Sequence, residues 1–248
     1  MAGHSQYSNI VHRKNAQDKK RAKIFSRLAR EITVAARSSP DPDMNTSLRN
    51  AVQAARAQNM PKDRIERAIS SASGSDGDNY EEMRYEGFGP GGVAIIIEAL
   101  TDNRNRTASD VRSSFQKYGG TLGENGSVAY MFERVGSIRY PAAAGSADDM
   151  IEAAIEAGAD DYNSSDDGHE ILCGADDLNM VRDALELHLS APPEAARLEW
   201  RPQSSIAIGE QQALTLFRLL EVLEDSDDVQ RVYSNFEVDD AVMARLSA

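Results

Sequence analysis

Residues 137–201 read, piece by piece, SIRY (137–140), PAAAGS, ADDMIEAAIEA (147–157), GAD, DYNS (161–164), SDDG, HEILC (169–173), GA, DDLNMVRDALELHL (176–189), SAPPEAA, RLEWR (197–201). Alternating short runs predict strands, and the two longer runs carry apolar residues at helical spacing. Asp166-Asp167-Gly168 is a hairpin signal between the second and third strands. The order is therefore β-α-β-β-α-β, one complete ferredoxin-like unit. Working outward, a strand at Gly92–Leu100, a helix at Asn105–Tyr118 and a strand at Ser127–Arg134 precede this unit. A short strand at Ser205–Ile208, a helix at Glu210–Leu223 and a strand at Val229–Glu237 follow it. The flanks spell a second such unit cut in the middle. The expected fold class is α+β, with one ferredoxin-like α/β domain (135–202) inserted in another (79–134 and 203–240).

The first 74 residues predict something different. Residues 1–13 lack periodicity and read as an arm. From Asn15 to Arg37 the pattern is helical, with Ile24, Phe25, Leu28, Ile32, Ala35 and Ala36 on one arc. A second helix has Leu48, Ala51, Val52 and Ala55 inward. A third begins at Pro61, with Ile65, Ala68, Ile69 and Ala72 inward. These make a three-helix bundle, and Gly74-Ser75-Asp76-Gly77-Asp78 reads as a linker.

Charge separates the two parts. Residues 1–70 hold 14 basic and 6 acidic side chains, net +8, while the rest of the chain is net −21 and the whole is −13. Lys19, Lys20, Lys23, Arg27, Arg30 and Arg37 lie opposite the apolar arc of the first helix. Five of the six lysines occur by Lys62. Neutralising about six phosphates gives strong, salt-sensitive attraction. The expected nucleic-acid contacts are therefore His4, His12, Arg13 and Lys14 in the arm, and the six basic residues of the helix. Arg104 and Arg106 join them, because two arginines near a helix N-terminus oppose its dipole. They call for local pairing, with Asp102 or Asp110, or for a polyanion.

Other chemistries find less support. Gly87, Gly89 and Gly92 match Gly-x-Gly-x-x-Gly, but the motif opens a strand rather than a helix, so it reads as a turn and not a dinucleotide site. No phosphate-loop motif occurs. His4, His12, His169 and His188 have no metal-ligand spacing and read as polar surface histidines; no metal and no cofactor is expected. Cys173 lies in the apolar run 171–173 and reads as buried. The aspartate doublets, from Asp148-Asp149 to Asp239-Asp240, flank helix starts and turns, where carboxylates stabilise the dipole. No catalytic set is recognisable, so no enzyme is expected. The absence of a membrane-length apolar run and of an apolar signal core predicts a cytosolic protein.

Met1-Ala2-Gly3-His4-Ser5, His12-Arg13-Lys14 and Gln17-Asp18-Lys19-Lys20-Arg21 resemble the start of the YebC/PmpR family. Arg30–Arg37, Asn59–Asp63, Ile65–Ile69, Tyr85–Gly92, Leu100–Thr107 and Gly126–Phe132 match as well. The resemblance covers essentially the full chain and is weakest from Ala142 to Pro202. The usual family start has Lys-Trp where this chain has Gln6-Tyr7. The resemblance implies three domains, one helical and two α/β, and a non-enzymatic regulator of gene expression. Members are described as DNA-binding transcriptional regulators. Others, including a mitochondrial relative that activates translation of a cytochrome oxidase subunit, are described as ribosome-associated; one proposed role is relief of stalling at proline-rich stretches.

Two partners follow, ribosomal RNA and promoter DNA. A basic arm and helix on an acidic body suit an RNA pocket read by shape and phosphate. A transcription factor usually presents a recognition helix in a dimer, and an acidic body repels long duplex. Translation is the favoured reading, transcription the alternative, and an enzyme acting on a phosphorylated ligand near Arg104 and Arg106 a distant third.

Overall fold

A computed structural model describes residues 17–72 and 79–247, with side chains for 21–72 and 79–246. The arm (1–13) and the linker (74–78) lie outside the described residues. Contacts divide the chain into two compact units. One takes the described residues up to Arg27, then those to Glu133 beyond the linker, then those from Arg201 on. The other takes Leu28 up to 72 and Arg134–Trp200.

The second unit contains the stretch from which the fold was read. β4 (Phe132–Tyr140) leads through α5 (Ala147–Glu156), β5 (Asp161–Ser165), β6 (Gly168–Gly174) and α6 (Leu178–Leu189) to β7 (Ala195–Pro202). The sheet order is β5-β6-β4-β7, the expected ferredoxin-like arrangement. Ser146 and Asp149 cap α5 reciprocally, so that aspartate doublet does the work expected of it. Ile138, Tyr140, Met150, Ile171, Val181 and Leu185 fill the core between sheet and helices.

Three helices share this unit: α1 (Gln17–Ala36) from Leu28 onward, α2 (Thr46–Ala57) and α3 (Lys62–Ser71). Asn45 ties two of them together. Its Oδ1 accepts from Leu48 N at 3.1 Å, capping α2, while its Nδ2 donates to Ala35 O at 2.7 Å at the end of α1. Pro61, expected as the first residue of α3, is its N-cap instead, with an extended ψ of 139°. The guanidinium of Arg182, on α6 and 2 % exposed, donates to Asn50 Oδ1 of α2 at 2.5 Å and to Asp183 Oδ1. Gln53 Nε2 donates to Pro193 O at 2.8 Å.

The first unit has strands where none were expected. β1 (Glu81–Phe88) and β2 (Ala94–Thr101) form an antiparallel hairpin, followed by α4 (Arg104–Lys117) and β3 (Thr121–Leu122). After the second unit come β8 (Ile206–Ala207), α7 (Glu210–Asp225), β9 (Val229–Ser234), β10 (Phe236–Glu237) and α8 (Asp240–Ser247). The main sheet runs β3-β1-β2-β9. β1 lies antiparallel between β2 and β3, as β6 lies between β4 and β5. The spatial order matches the other sheet, but the intervening strand arrives before the β-α-β pair rather than after it.

Four expectations are corrected here. Glu81–Phe88 is a strand. The partner strand after α4 is Thr121–Leu122, not Ser127–Arg134; residues 129–131 form a 3-10 turn and β4 starts at Phe132. The run Val229–Glu237 breaks at Asn235, which uses Oδ1 to accept from Ala94 N at 2.8 Å, so β10 pairs instead with β8. A last helix, α8, places Met243 in the core.

Of the glycines expected to make a turn, Gly92 does so, whereas Gly87 lies within β1. Gly91 and Gly92, both at φ 77°, close the β1–β2 connection, a conformation costly for residues with a Cβ. Gly87 serves packing. A Cβ there meets Thr121 O at 2.6 Å and Phe115 Cε1 at 2.8 Å. Since a backbone carbonyl cannot swing aside, Gly87→Ala is expected to push β3 off β1 and cost about 1–3 kcal/mol. Chemical denaturation checks this; an unchanged midpoint refutes it.

Glu86 is the unusual residue of β1. Its carboxylate is fully buried. Oε2 accepts from Val128 N and Ala129 N, each at 2.9 Å, while Arg84 Nε lies 3.0 Å from Oε1. Its own carbonyl accepts from Gly123 N at 2.8 Å. One buried anion thus holds the connection from β3 to the 3-10 turn.

Candidate nucleic-acid interface

On α1, Phe25, Ile32 and Ala36 are buried as expected, whereas Ile24 is exposed. His4, His12, Arg13 and Lys14 lie outside the described residues. Lys19 and Lys20 fall on α1, but their side chains are outside them too. Arg21 is exposed and falls on the apolar side of α1, one turn before Phe25, with its guanidinium 5.4 Å from the Phe25 ring centroid.

Lys23 and Arg27 do not simply face solvent. Lys23 Nζ pairs with Asp225 Oδ1 at 2.7 Å and also donates to Asp225 O; Arg27 Nη2 donates to Glu224 O. Both cations meet the C-terminal end of α7, where the helix dipole and terminal carbonyls favour positive charge. Burial pushes the Glu224 carboxyl above its ordinary value, and the nearby Arg27 charge draws it part of the way back. The Lys23–Asp225 pair, with Asp225 largely exposed, contributes roughly 0–1 kcal/mol, so it orients the Lys23 side chain more than it stabilises the fold. Further along α1, Arg30 is half-buried and Arg37 exposed.

Arg104 and Arg106 are paired. Arg104 Nε lies 3.5 Å from Glu81 Oε2. Arg106 Nη2 donates to Asp102 Oδ1 at 2.7 Å and to Asp228 Oδ2 at 2.9 Å. Asp228 is buried and takes the Thr107 hydroxyl at 2.7 Å; that hydroxyl also meets the Thr101 hydroxyl at 2.7 Å. Asn103 caps α4 by accepting from Arg106 N at 3.1 Å. Of the two explanations for these arginines, the geometry gives local pairing a concrete form. Asp228 also departs from the surface role expected of the aspartate doublets.

The remaining polar groups are set for structure. His169, expected at the surface, is buried. Its Nδ1 lies 3.0 Å from Ser164 Oγ and 3.2 Å from Tyr162 Oη, and Nε2 lies 3.2 Å from Gly145 O. His188 pairs with Glu156 at 3.1 Å. Cys173 is buried as expected, and burial pushes its thiol up to about 11. Among the described residues, no three His, Cys, Asp or Glu side chains converge as metal ligands would, and no helix is long and apolar enough to cross a membrane.

The family model of the TACO1/YebC N-terminal domain matches residues 5–75, and that of the TACO1/YebC second and third domain matches residues 80–236. The chain belongs to the TACO1/YebC family. This family is of the transcriptional-regulator and translational-activator type. The chain is also similar to the crystal structure of a conserved hypothetical protein, Aq1575, from Aquifex aeolicus. The two are 45% identical with a TM-score of 0.84, over 90% of this chain and 93% of that one. The TACO1/YebC N-terminal match takes in α1 to α3 with their basic residues, and the second match runs through both sheets.

Proposed function

We propose that the chain is a non-enzymatic regulator of gene expression that grips ribosomal RNA through its first 74 residues and acts in translation, as an activator or by relieving stalling. The observation that carries this reading is the division of charge, net +8 over residues 1–70 against −21 over the rest. Phosphate attraction is concentrated at one end, and the acidic body disfavours lying along a uniform polyanion. Binding rather than catalysis is supported by a Cys173 thiol held protonated and by a His169 ring with both nitrogens engaged.

Promoter DNA is the second reading, favoured by one observation. Only four residues, 58–61, join α2 to α3, a spacing compatible with a helix-turn-helix. The outer face of α3 weakens that reading. Lys62 lies 3.5 Å from Glu66, Arg67 donates to Asp63 O, and the helix carries three basic residues against two acidic. A net +1 offers little to a phosphate backbone.

The full chain is expected to co-sediment with ribosomes in low-salt sucrose gradients and to leave those fractions as salt rises. Replacing Lys19 and Lys20 by glutamate is expected to weaken that association. Absence from ribosomal fractions at low salt counts against the reading. Preference for a promoter fragment over scrambled DNA that survives raised salt replaces it with transcription, because phosphate contacts alone carry no sequence information.

A further inference from the structure

We infer that the exposed face of α4 is a second nucleic-acid contact, with Arg112 and Lys117 binding phosphates; this rests on the reading of the chain as a nucleic-acid binder. α4 holds Arg104, Arg106, Arg112 and Lys117 against a single acid, Asp110. The other helices beyond the bundle are acidic or neutral. α5 has four acids and no Lys or Arg, and α7 has four acids against Arg218. α6 has Asp183 and Glu186 against Arg182, and α8 has Asp240 against Arg245. A net +3 helix in a body of net −21 is an anomaly that the fold does not require.

The charges on α4 divide by position. The two arginines in its first turn are bound to Glu81, Asp102 and Asp228. The two cations in its second half are not. Ser109, Arg112, Ser113, Gln116 and Lys117 recur at helical spacing, and all five are exposed, so they form one continuous stripe. The one acid of the helix, Asp110, is exposed and borders the stripe two turns before Lys117, on the side away from Arg112. Positions 108, 109, 115 and 116, where a helical partner for Arg112 would sit, are Ala, Ser, Phe and Gln. Lys117 alone is ordinary, since a cation in the last turn suits the dipole. Arg112 sits mid-helix, where the dipole offers nothing. Hydroxyls and an amide between two cations are the usual donors to phosphate oxygens.

The same face fits a protein partner less well. Protein interfaces are anchored by buried aromatic or aliphatic side chains, and none of the exposed large apolar residues lies on α4. The geometry therefore favours a nucleic-acid backbone over an acidic protein.

The test uses the full chain and two fluorescent probes, a 20-nucleotide oligo(U) and a 20-base-pair duplex, titrated across a series of salt concentrations. The Arg112→Glu/Lys117→Glu variant is expected to bind one or both probes about tenfold more weakly. Its log K against log salt slope is expected to be shallower by about 1.4 for the single strand or about 1.8 for the duplex. Arg112→Gln/Lys117→Gln, at exposed positions, is expected to melt like the parent and flatten the slope similarly. It serves alone if the charge reversal does not fold. Parental affinity and slope in both variants overturn the α4 contact; if Lys19→Glu/Lys20→Glu is then impaired, the wider reading stands. Failure of the parent to bind either probe overturns the wider reading, and this one with it. Tighter binding to polyglutamate than to either probe overturns the assignment to nucleic acid.

Discussion

Glu86→Ala is expected to destabilise the fold by about 3 kcal/mol, one of the two largest losses expected here from a single side chain. The carboxylate is buried and accepts from Val128 N and Ala129 N at 2.9 Å. Removing it strands those amides and leaves Arg84 without its 3.0 Å partner; each stranded buried group costs about 1–3 kcal/mol. Hydrogen exchange at the amides of Val128 and Ala129 is expected to speed up along with the loss of stability. Parental exchange at both would refute the clamp.

Glu86→Gln separates charge from shape. Burial works to raise the Glu86 carboxyl, but the backbone amides of Val128, Gly126 and Ala129, with the Arg84 charge, hold it below its ordinary value. A carboxyl lowered on folding contributes stability above its unfolded value of about 4.3, and that contribution is lost as pH falls through the folded value. The stability gap between parent and Glu86→Gln is therefore expected to be full at neutral pH and to close in acid. A gap that widens in acid would show the sign to be wrong.

Asp228→Ala is expected to cost a further 2–4 kcal/mol, through a different kind of site. Asp228 joins the Thr107 hydroxyl, at 2.7 Å, to Arg106, at 2.9 Å. Both Thr101 and Thr107 are buried. Without the carboxylate the buried Thr101 hydroxyl loses its 3.3 Å acceptor and Thr107 is left with Asn103 O at 3.1 Å, while Arg106 keeps Asp102. Asp228→Asn preserves an acceptor and is expected to cost about half as much. A double-mutant cycle of Asp228→Ala with Arg106→Ala in urea denaturation is expected to give a coupling of about 1–3 kcal/mol. Additivity would mean that the pair is only a neighbourhood.

Much of the architecture was legible because its signals are local. The helix expected from Asn15 to Arg37 runs Gln17–Ala36, since apolar spacing and the Pro40 and Pro42 stop act within a few residues. The hairpin around Asp166–Gly168 appears as β5 and β6 because turn chemistry sets its register. β1 was not legible. Glu81, Glu82, Glu86 and Gly87 break any alternation, and the segment is a strand because β2 and β3 pair with it on both sides. β3, two residues long, has no pattern to read.

The site divides in the same way. A basic stripe on α1 and a pair of arginines at the start of α4 are visible from residue order alone, because helical periodicity and charge are properties of short segments. Which of those cations have partners is decided across the fold. Lys23 meets Asp225 from 202 positions away, and Arg106 meets Asp228 from 122. The sequence by itself determined the helical bundle, the β-α-β-β-α-β unit, the family and the division of charge. Only the tertiary structure decided that Arg104 and Arg106 are tied down while Arg112 and Lys117 are exposed and form no ion pair among the described residues. Ion pairing depends on distance and on shielding from water, and both are set by where the chain folds back on itself.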